Sequence, residues 1–600
     1  MCGISGLITN HPLTTTERVK AKQLNVYLQH RGPDGEGWHE GKTCLLGMRR
    51  LSIIDVAGGN QPLYNENKTI VLLFNGEIYN YVELRQELMN KGHVFRTKSD
   101  GETICHLYEE KGITCINALR GMFAITLFDI TANTIYLIRD RLGEKPIYYT
   151  KDNSVLIYAS EFKALKSITA SSNWSINPAA IDLFLHYQYI PEPTTMVNEV
   201  HKIPAAHYLK IDLNTLETSL QRYWDLNAAA PITSSNPAEL VKQELLTIGN
   251  IIGRSDVPIG IALSGGVDSS AVAALVKYHN SNKDITHAFT VGYTGRPATD
   301  ERQHAKKFAK QLGIKLHEIE IATPQFVQDF PRLIAAMDDP ISDIAAYSID
   351  QIMQTAHDQG IKVMLNGVGG DEFFWGYQWI ADGVAKTLAQ IKTGQQHELI
   401  SYQAHPDFKY AQQRIPGILK SAIKAKIPKH TSDHFFSLSN TNNIPIQAIS
   451  ALCTTWLYPD IIALGDRLSM AHSIELRSPF LDHKLVELVL GLNKTQPDLW
   501  QQPSKQLLKK AMATLIPTEI LSRPKQGFTP PSAEWYIAVV KRYSKLLLNG
   551  YLIKHDIISW LGYFKLITPH NQQQIVFLYK CIVLEIWCRI NLAHQSINSI

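Results

Sequence analysis

The sequence predicts two domains in series: a strand-dominated α+β domain, then an α/β domain with a parallel sheet and a mostly helical C-terminal part. Three observations predict this. Six hundred residues exceed what one hydrophobic core normally supports. A segment near 227–239, "NAAAPITSSNPAE", has the small, polar, Pro-bearing composition of a linker or helix start. Across it the apolar rhythm changes from closely spaced short strands to strands alternating with helices. Domains spanning 2–210 and 235–600 are expected.

In the first domain, "TCLLGM", "TIVLLFNG", "MFAITLFD", "TIYLIRD" and "PIYYT" are short apolar runs separated by Gly, Asn and Asp turns. One helix is expected among them, where Tyr81, Leu84 and Leu88 repeat at helical spacing through "YVELRQELMNKG". Beyond the linker, "VPIGIALSGG" reads as a strand, "AVAALVKYH" as a helix, "DITHAFTVGY" as a strand, "ERQHAKKFAKQLG" as a helix and "KLHEIEI" as a strand. Such alternation implies parallel strands with crossover helices. From about 440 the chain reads as mostly helical. Its late apolar stretch, "IVFLYKCIVLEIWCRINL", is interrupted by Lys580, Glu585 and Arg589, which suits a buried helix better than a membrane span.

Composition narrows the function classes. A net charge of +4 with scattered Lys and Arg gives no electrostatic footprint for nucleic acid or membrane. The seven cysteines are odd in number, widely spaced and free of CxxC pairs, which argues against a disulfide framework or structural zinc site. The N-terminal residues lack the basic and apolar regions of a signal peptide, so a cytoplasmic location is expected.

Two stretches carry chemistry. In "IALSGGVDSSAVAAL" a strand ends at Leu263, a Ser264–Ser270 loop follows, and a helix begins. This arrangement aims backbone N–H groups and a helix dipole at an anion beyond the strand's carboxyl end. The GxxxxGK[ST] pattern of a Walker A loop is absent; the stretch resembles the SGGxDS loop of PP-loop ATP pyrophosphatases. A second glycine-rich loop, "NGVGGDE", presents Asp371 and Glu372. Asp268 and Asp371 are the candidate Mg²⁺ ligands, one carboxylate each beside the phosphates. At the other end of the chain, Cys2 stands directly behind Met1. Removal of Met1 would give one residue both a nucleophilic sulfur and a free amine to act as its base.

Ordered motifs then join the two halves. The first carries "MCGISG", "HRGPDG", "RRLSIID", "FNGEIYNY", "SDGETI", "LRGMFA", "RDRLGEKPIYY" and "SEFKAL"; the second carries "LSGGVDSS", "DPISD", "GVGGDE", "DRLSMAHSIELRSPFLDH" and "RPKQGF". Over nearly its whole length the chain resembles the glutamine-dependent asparagine synthetases. The resemblance implies a class II glutaminase domain of the N-terminal-nucleophile type, an αββα sandwich, joined to a PP-loop synthetase domain. It implies Cys2 as nucleophile, its freed α-amine as base with an ordinary pKa near ~7.7–8.0, and Asn75 with Gly76 as oxyanion hole. Arg50, Leu51, Ile54, Glu77 and Asp100 would complete the glutamine site, Arg50 holding the α-carboxylate and Asp100 with Glu77 the α-ammonium. Leu263, Ser264, Gly265, Gly266, Asp268, Ser269, Val291, Asn366 and Gly367 would bind ATP, and Lys525 would neutralise charge during adenylation.

The implied reaction activates a carboxylate as an acyl-adenylate and converts it to an amide with glutamine-derived ammonia, aspartate being the default acceptor. Glutamine, ATP and that acceptor are the expected partners, with a homodimer as one assembly. The loop "NGVGGDE" departs from the family at its third position, where Val368 replaces a usual acidic residue. Valine accepts no proton, which raises a second reading: a specialised relative amidating another carboxylate, such as a sugar acid or natural-product intermediate. Met48, where the family often has His, and "KIPAAH" for "LPPGH" are milder departures.

Overall fold

The computed structural model describes residues 2–169, 174–279, 285–295, 300–394, 399, 405–428, 443–496, 499–524, 529–567 and 571–600. Strands in the N-terminal half are β1 (Cys2–Thr9), β2 (Gly35–Glu40), β3 (Cys44–Arg50), β4 (Leu63–Tyr64), β5 (Ile70–Ile78), β6 (Gly121–Asp129), β7 (Thr134–Arg139), β8 (Tyr148–Lys151), β9 (Val155–Ala159), β10 (His201–Lys202), β11 (His207–Asp212) and β12 (Thr218–Arg222). They form two sheets, ordered β10-β8-β9-β1-β3-β2 and β12-β11-β7-β6-β5-β4, with antiparallel neighbours throughout.

The alternating side-chain directions of these strands build three cores. Ile4, Ile8, Leu46 and Met48 of one sheet meet Val71, Leu73, Leu137 and Leu209 of the other, so the sheets pack face to face. On the outer face of the second sheet, Leu72, Phe74 and Ile125 pack against Leu84, Leu88, Ile104 and Leu107 of the helices Tyr81–Asn90 and Glu102–Lys111. On the outer face of the first, Leu7 and Leu45 cover Leu13, just before the helix Thr15–Val26, and Ala21 within it. The result is the expected αββα order, and the helix read from "YVELRQELMNKG" is Tyr81–Asn90.

The second half is built on β13 (Ile259–Ala262), β14 (Ile285–Tyr293), β15 (Lys315–Ile321), β16 (Val363–Leu365) and β17 (Glu475–Arg477), all parallel in the order β15-β14-β13-β16-β17. The strand order reverses between β13 and β16. In open parallel sheets ligands bind at that reversal, beyond the strands' carboxyl ends, and there the two glycine-rich loops lie.

The C-terminal helices pack beside this sheet. The helix Gln572–Asn591 is buried along most of its length, as its interrupted apolar pattern implies. Its Lys580 ammonium donates to the carbonyls of Leu185 (3.0 Å) and His186 (3.3 Å), and Glu585 accepts from the Tyr551 and Leu552 amides. Among the described residues, one helical stretch, Ile444–Ala471, is long and apolar enough to cross a membrane; 72% of its apolar window is buried within the protein. All seven cysteines are buried and free.

Candidate active sites in the two domains

The first site forms where β1 and β3 of one sheet face β5 of the other. Strand register sets Cys2 opposite Arg50. From the facing sheet, the Asn75 side chain reaches Cys2, whose backbone nitrogen donates to Asn75 Oδ1 at 2.9 Å. That bond fixes the amide's orientation, because an N–H donor must face its oxygen. The Asn75 Nδ2 group is therefore turned the other way, buried and without a hydrogen-bond partner. A buried amide donor left open costs free energy unless something accepts from it. Here it points to an acceptor that arrives with the substrate.

Other atoms close in on Cys2. The Arg31 Nε donates to the Cys2 carbonyl at 3.1 Å, and the Leu51 backbone N–H faces the thiol. Burial pushes the Cys2 thiol above its ordinary pKa, so the sulfur stays protonated at neutral pH and needs a base beside it. Gly76 follows Asn75 in a crowded spot. A Cβ there would come within 2.1 Å of the Met122 carbonyl oxygen, so only glycine fits against β6.

Two buried carboxyl groups stand at the same end of β5. Asp100 accepts from the Ile78 amide at 2.9 Å, and Glu77 meets Arg477 of β17 at 3.2 Å. Burial raises the Asp100 pKa to about 6. Burial and the neighbouring Asp100 carboxyl push Glu77 well above the usual carboxylate range. Arg477 does not offset this, because it sits closer to Glu475, at 2.6 Å. Burial works against Glu475 as well, and there Arg477 wins, holding its pKa below the ordinary value. Two buried carboxyl groups with raised pKa values, only one of them facing a cation, suit a ligand carrying an ammonium.

Arg50 is engaged differently from a free carboxylate fork. Its two terminal nitrogens donate to the carbonyls of Ile54 (3.2 Å), Asp55 (2.7 Å) and Val56 (3.1 Å) and to Asn60 Oδ1 (3.0 Å). The guanidinium thus shapes the loop that carries the buried residues Leu51 and Ile54. Cys2, Arg50, Leu51, Asn75, Gly76, Glu77 and Asp100 all belong to this end of the sandwich.

The second site lies at the reversal point of the parallel sheet. The Leu263 amide donates to the Phe289 carbonyl, which anchors the start of the loop. Ser264 and Ser269 hydroxyls lie 3.1 Å apart, and the Gly266 amide donates to Ser264 Oγ at 3.3 Å. Gly265 has φ +78°, a left-handed conformation that glycine adopts without strain. The neighbouring loop interlocks with this one: a Cβ on Gly367 would approach Asp268 Cβ to 2.7 Å. Val291, near the end of β14, is buried. The Asn366 amide donates to the Arg477 carbonyl, and Asn366 Oδ1 accepts from Val368 N.

One participant gave no signal in the sequence. The Lys505 ammonium bridges the carboxylates of Asp268 and Asp371, lying 2.7 Å from Asp371 Oδ1 and in close contact with Asp268 Oδ2. Lys505 is buried and itself adopts a left-handed backbone, φ +59°, a conformation a non-glycine residue holds only when its surroundings demand it. The two acids thus share one cation position, which the Lys505 ammonium fills. From "RPKQGF", Arg523 donates to the Gly265 carbonyl at 3.2 Å and pairs with Glu301 at 2.8 Å. Lys525 lies outside the described residues.

The two sites are tied together by charge. Arg31 pairs with both Glu161 (2.8 Å) and Asp466 (2.9 Å), Lys145 approaches Asp466 at 3.4 Å, and Arg477 joins Glu77 across the same boundary. Burial works to raise the Asp466 pKa, but the adjacent Arg31, Lys145 and Arg467 hold it down at about 2. Glu144 and Lys145 of the first half line a cavity of about 20 Å³ with Asn366, Val368, Asp466 and Leu476 of the second.

Residues 1–224 match the family described as glutamine amidotransferase domain, and residues 250–591 match the asparagine synthase family. An asparagine synthetase (glutamine-hydrolysing) of Bacillus subtilis, numbered 1, is 31% identical over 99% of this chain and 97% of its own length. Its namesake numbered 2 is 31% identical over 88% of this chain and 72% of its own. A protein of Gibberella zeae named amidase chry2 is 28% identical over 93% of each chain.

Proposed function

The chain belongs to the asparagine synthetase family of glutamine-hydrolysing amidotransferases, and from that premise we propose that it transfers the amide nitrogen of glutamine to an ATP-activated carboxylate, aspartate by default. The observation that carries the reading is the Asn75 side chain, which holds Cys2 N through Oδ1 and leaves Nδ2 open.

In the first half-reaction the Cys2 sulfur attacks the glutamine side-chain amide. Its proton passes to the α-amine that removal of Met1 would free; Met1 itself lies outside the described residues. The tetrahedral oxyanion is stabilised by Asn75 Nδ2 and the Gly76 N–H, contacts each worth roughly 10²–10³ in rate. Collapse expels ammonia and leaves a γ-glutamyl thioester, which water hydrolyses to glutamate. Asp100 and Glu77 receive the substrate ammonium. Arg50 meets the α-carboxylate through its remaining Nε–H while its other nitrogens hold the loop carrying Leu51 and Ile54.

In the second half-reaction ATP lies along Leu263, Val291 and Asn366-Gly367, its phosphates on the Ser264–Ser269 loop. Asp268 and Asp371 would hold Mg²⁺, which neutralises phosphate charge when bound; their convergence on the Lys505 ammonium supports this reading. Lys505 and Lys525 add positive charge for the departing pyrophosphate. Ammonia needs a sheltered route between the sites. The cavity beside Glu144 and Val368 has room for one molecule of water size and is shared by both domains.

Val368 supports a second reading, in which the acceptor is another carboxylate, and it agrees with the amidase name of the Gibberella zeae relative. Incubation with glutamine, ATP, Mg²⁺ and aspartate separates the two. Formation of asparagine with AMP and pyrophosphate supports the default; glutamate without asparagine removes it and opens a screen of carboxylates for pyrophosphate release.

A further inference from the structure

A cluster of metal-ligating side chains lies on the outer helical layer of the first domain, apart from both reaction centres. Glu66 comes from the turn between β4 and β5, His93 from the segment after the helix Tyr81–Asn90, and His106 and Glu109 from successive turns of the helix Glu102–Lys111. One donor atom from each of the four falls within 4.8 Å of all the others. His93 Nδ1 is 3.2 Å from Glu66 Oε1 and 3.8 Å from Glu109 Oε2; His106 Nδ1 is 3.2 Å from Glu66 Oε2 and 3.5 Å from Glu109 Oε2. Tetrahedral zinc with bonds of about 2.0–2.1 Å sets ligand atoms roughly 3.3 Å apart, and one donor atom from each residue, now within 4.8 Å of the others, reaches that spacing by side-chain rotation.

His106 is the independent sign of a ligand. It is fully buried, with carboxylates on both ring nitrogens, Glu66 at 3.2 Å and Glu109 at 3.5 Å from Nδ1 and Glu102 at 3.6 Å from Nε2, yet none is aligned as a hydrogen bond. Carboxylates that gather on Nδ1 without aligning to it leave a position for a cation between them. The Phe95 ring, 4.4 Å away, closes the apolar side of the imidazole and leaves Nδ1 facing the carboxylates.

The outer contacts follow the same plan. His93 Nε2 faces Glu110 at 3.3 Å and His106 Nε2 faces Glu102 at 3.6 Å, so each Nδ1 is turned inward while a carboxylate stands behind the other nitrogen. This carboxylate–histidine pairing orients metal-ligating imidazoles. Asn65 Nδ2 steadies Glu109 at 2.8 Å, and the Val94 amide steadies Glu66 at 2.9 Å.

We propose that Glu66, His93, His106 and Glu109 form a closed, four-ligand site for a tetrahedral divalent transition ion, zinc by ligand type. Two carboxylates and two neutral imidazoles balance its charge. With every position taken by protein, the ion has no open coordination for catalysis and serves structure. It fastens the 91–101 segment to the helix whose first turn follows Asp100, so the glutamine site gains rigidity from an ion outside it.

The test uses the full-length protein, stripped with a chelator and titrated with Zn²⁺ by calorimetry, then with Co²⁺ read by its visible spectrum. One zinc per chain, the intense bands of tetrahedral cobalt and a raised melting temperature are expected. Glu109→Gln and His93→Ala change partly exposed side chains and should fold; each should weaken zinc at least about tenfold, the loss seen even for outer contacts of metal sites. Cys2→Ser should keep the full stoichiometry, which excludes the catalytic thiol as the ligand. Failure of the wild-type protein to bind zinc, octahedral cobalt, or binding equal in both variants would overturn the site.

Discussion

The glutamine site and the ATP site solve opposite problems. The first is made from strand backbone and buried side chains at a sheet seam, where burial raises the pKa values of its two acids, Glu77 and Asp100, and only Glu77 faces a cation, Arg477. The second is made from loops at the reversal of a parallel sheet, and its two acids already share a cation, Lys505. A site preset for a cationic substrate keeps unsatisfied groups in waiting. A site preset for an anion keeps its own acids neutralised, so that the phosphates meet serine hydroxyls and amides and not bare carboxylates.

Removing one centre while sparing the other gives the largest effect. Cys2→Ala should abolish glutamine-dependent amide formation and leave synthesis from added ammonium salts at wild-type rate; loss of both activities would mean that Cys2 serves the fold as well as the chemistry. Next is the boundary between the domains. Asp466→Ala would leave Arg31, Lys145 and Arg467 buried without their shared partner, at a cost of about 3–5 kcal/mol, read by denaturant unfolding. The coupling of the half-reactions should fall with it, so that more glutamate is released per AMP. Stability within 1 kcal/mol of wild type, on the order of an exposed pair's worth, would show that water reaches the cluster. Asn75→Ala should then lower the glutaminase rate by roughly 10²–10³ with little change in KM, as expected for a donor used in the transition state. An equal rise in KM would make Asn75 a ground-state binding residue instead.

These three residues also mark how far the sequence could be read. Cys2 and Asn75 stand in short local motifs, and the strand runs around them fix the sandwich because apolar alternation and turn residues are local signals. Arg31 and Asp466 lie in quoted motifs too, yet their pairing joins positions 435 residues apart and depends on how the domains dock. Lys505 sits in an unremarkable "SKQLLKKA" stretch, and only the fold turns its ammonium onto Asp268 and Asp371. Arg50 was read as a carboxylate fork, and the structure adds that four carbonyl-type acceptors in the 54–60 loop hold most of its donors. The His93–His106 cluster gave no spacing signal, since its ligands come from three separate elements.

The smallest expected effect is on pH, and it tests the contrast between the two pairs of acids directly. Asp100 in the free protein has a pKa raised by burial to about 6, against 3.8 in the unfolded chain. The folded form therefore holds a proton that the unfolded form releases between those values. Its contribution to stability is fully present below 3.8 and is lost as pH rises through 6, a difference of roughly 3 kcal/mol at 1.36 kcal/mol per unit. Glutamine's ammonium favours the ionised carboxyl, so binding at pH 5 must expel the proton. The KM for glutamine should rise up to about tenfold per pH unit below 6, and calorimetry in buffers of different ionisation enthalpy should detect a proton released on binding. Asp100→Asn should remove that proton release along with tight binding. A KM flat from pH 7 to 5 would mean that Asp100 stays ionised in the free site down to pH 5, and that Arg477 neutralises both acids of the glutamine pocket as Lys505 does those of the ATP loop.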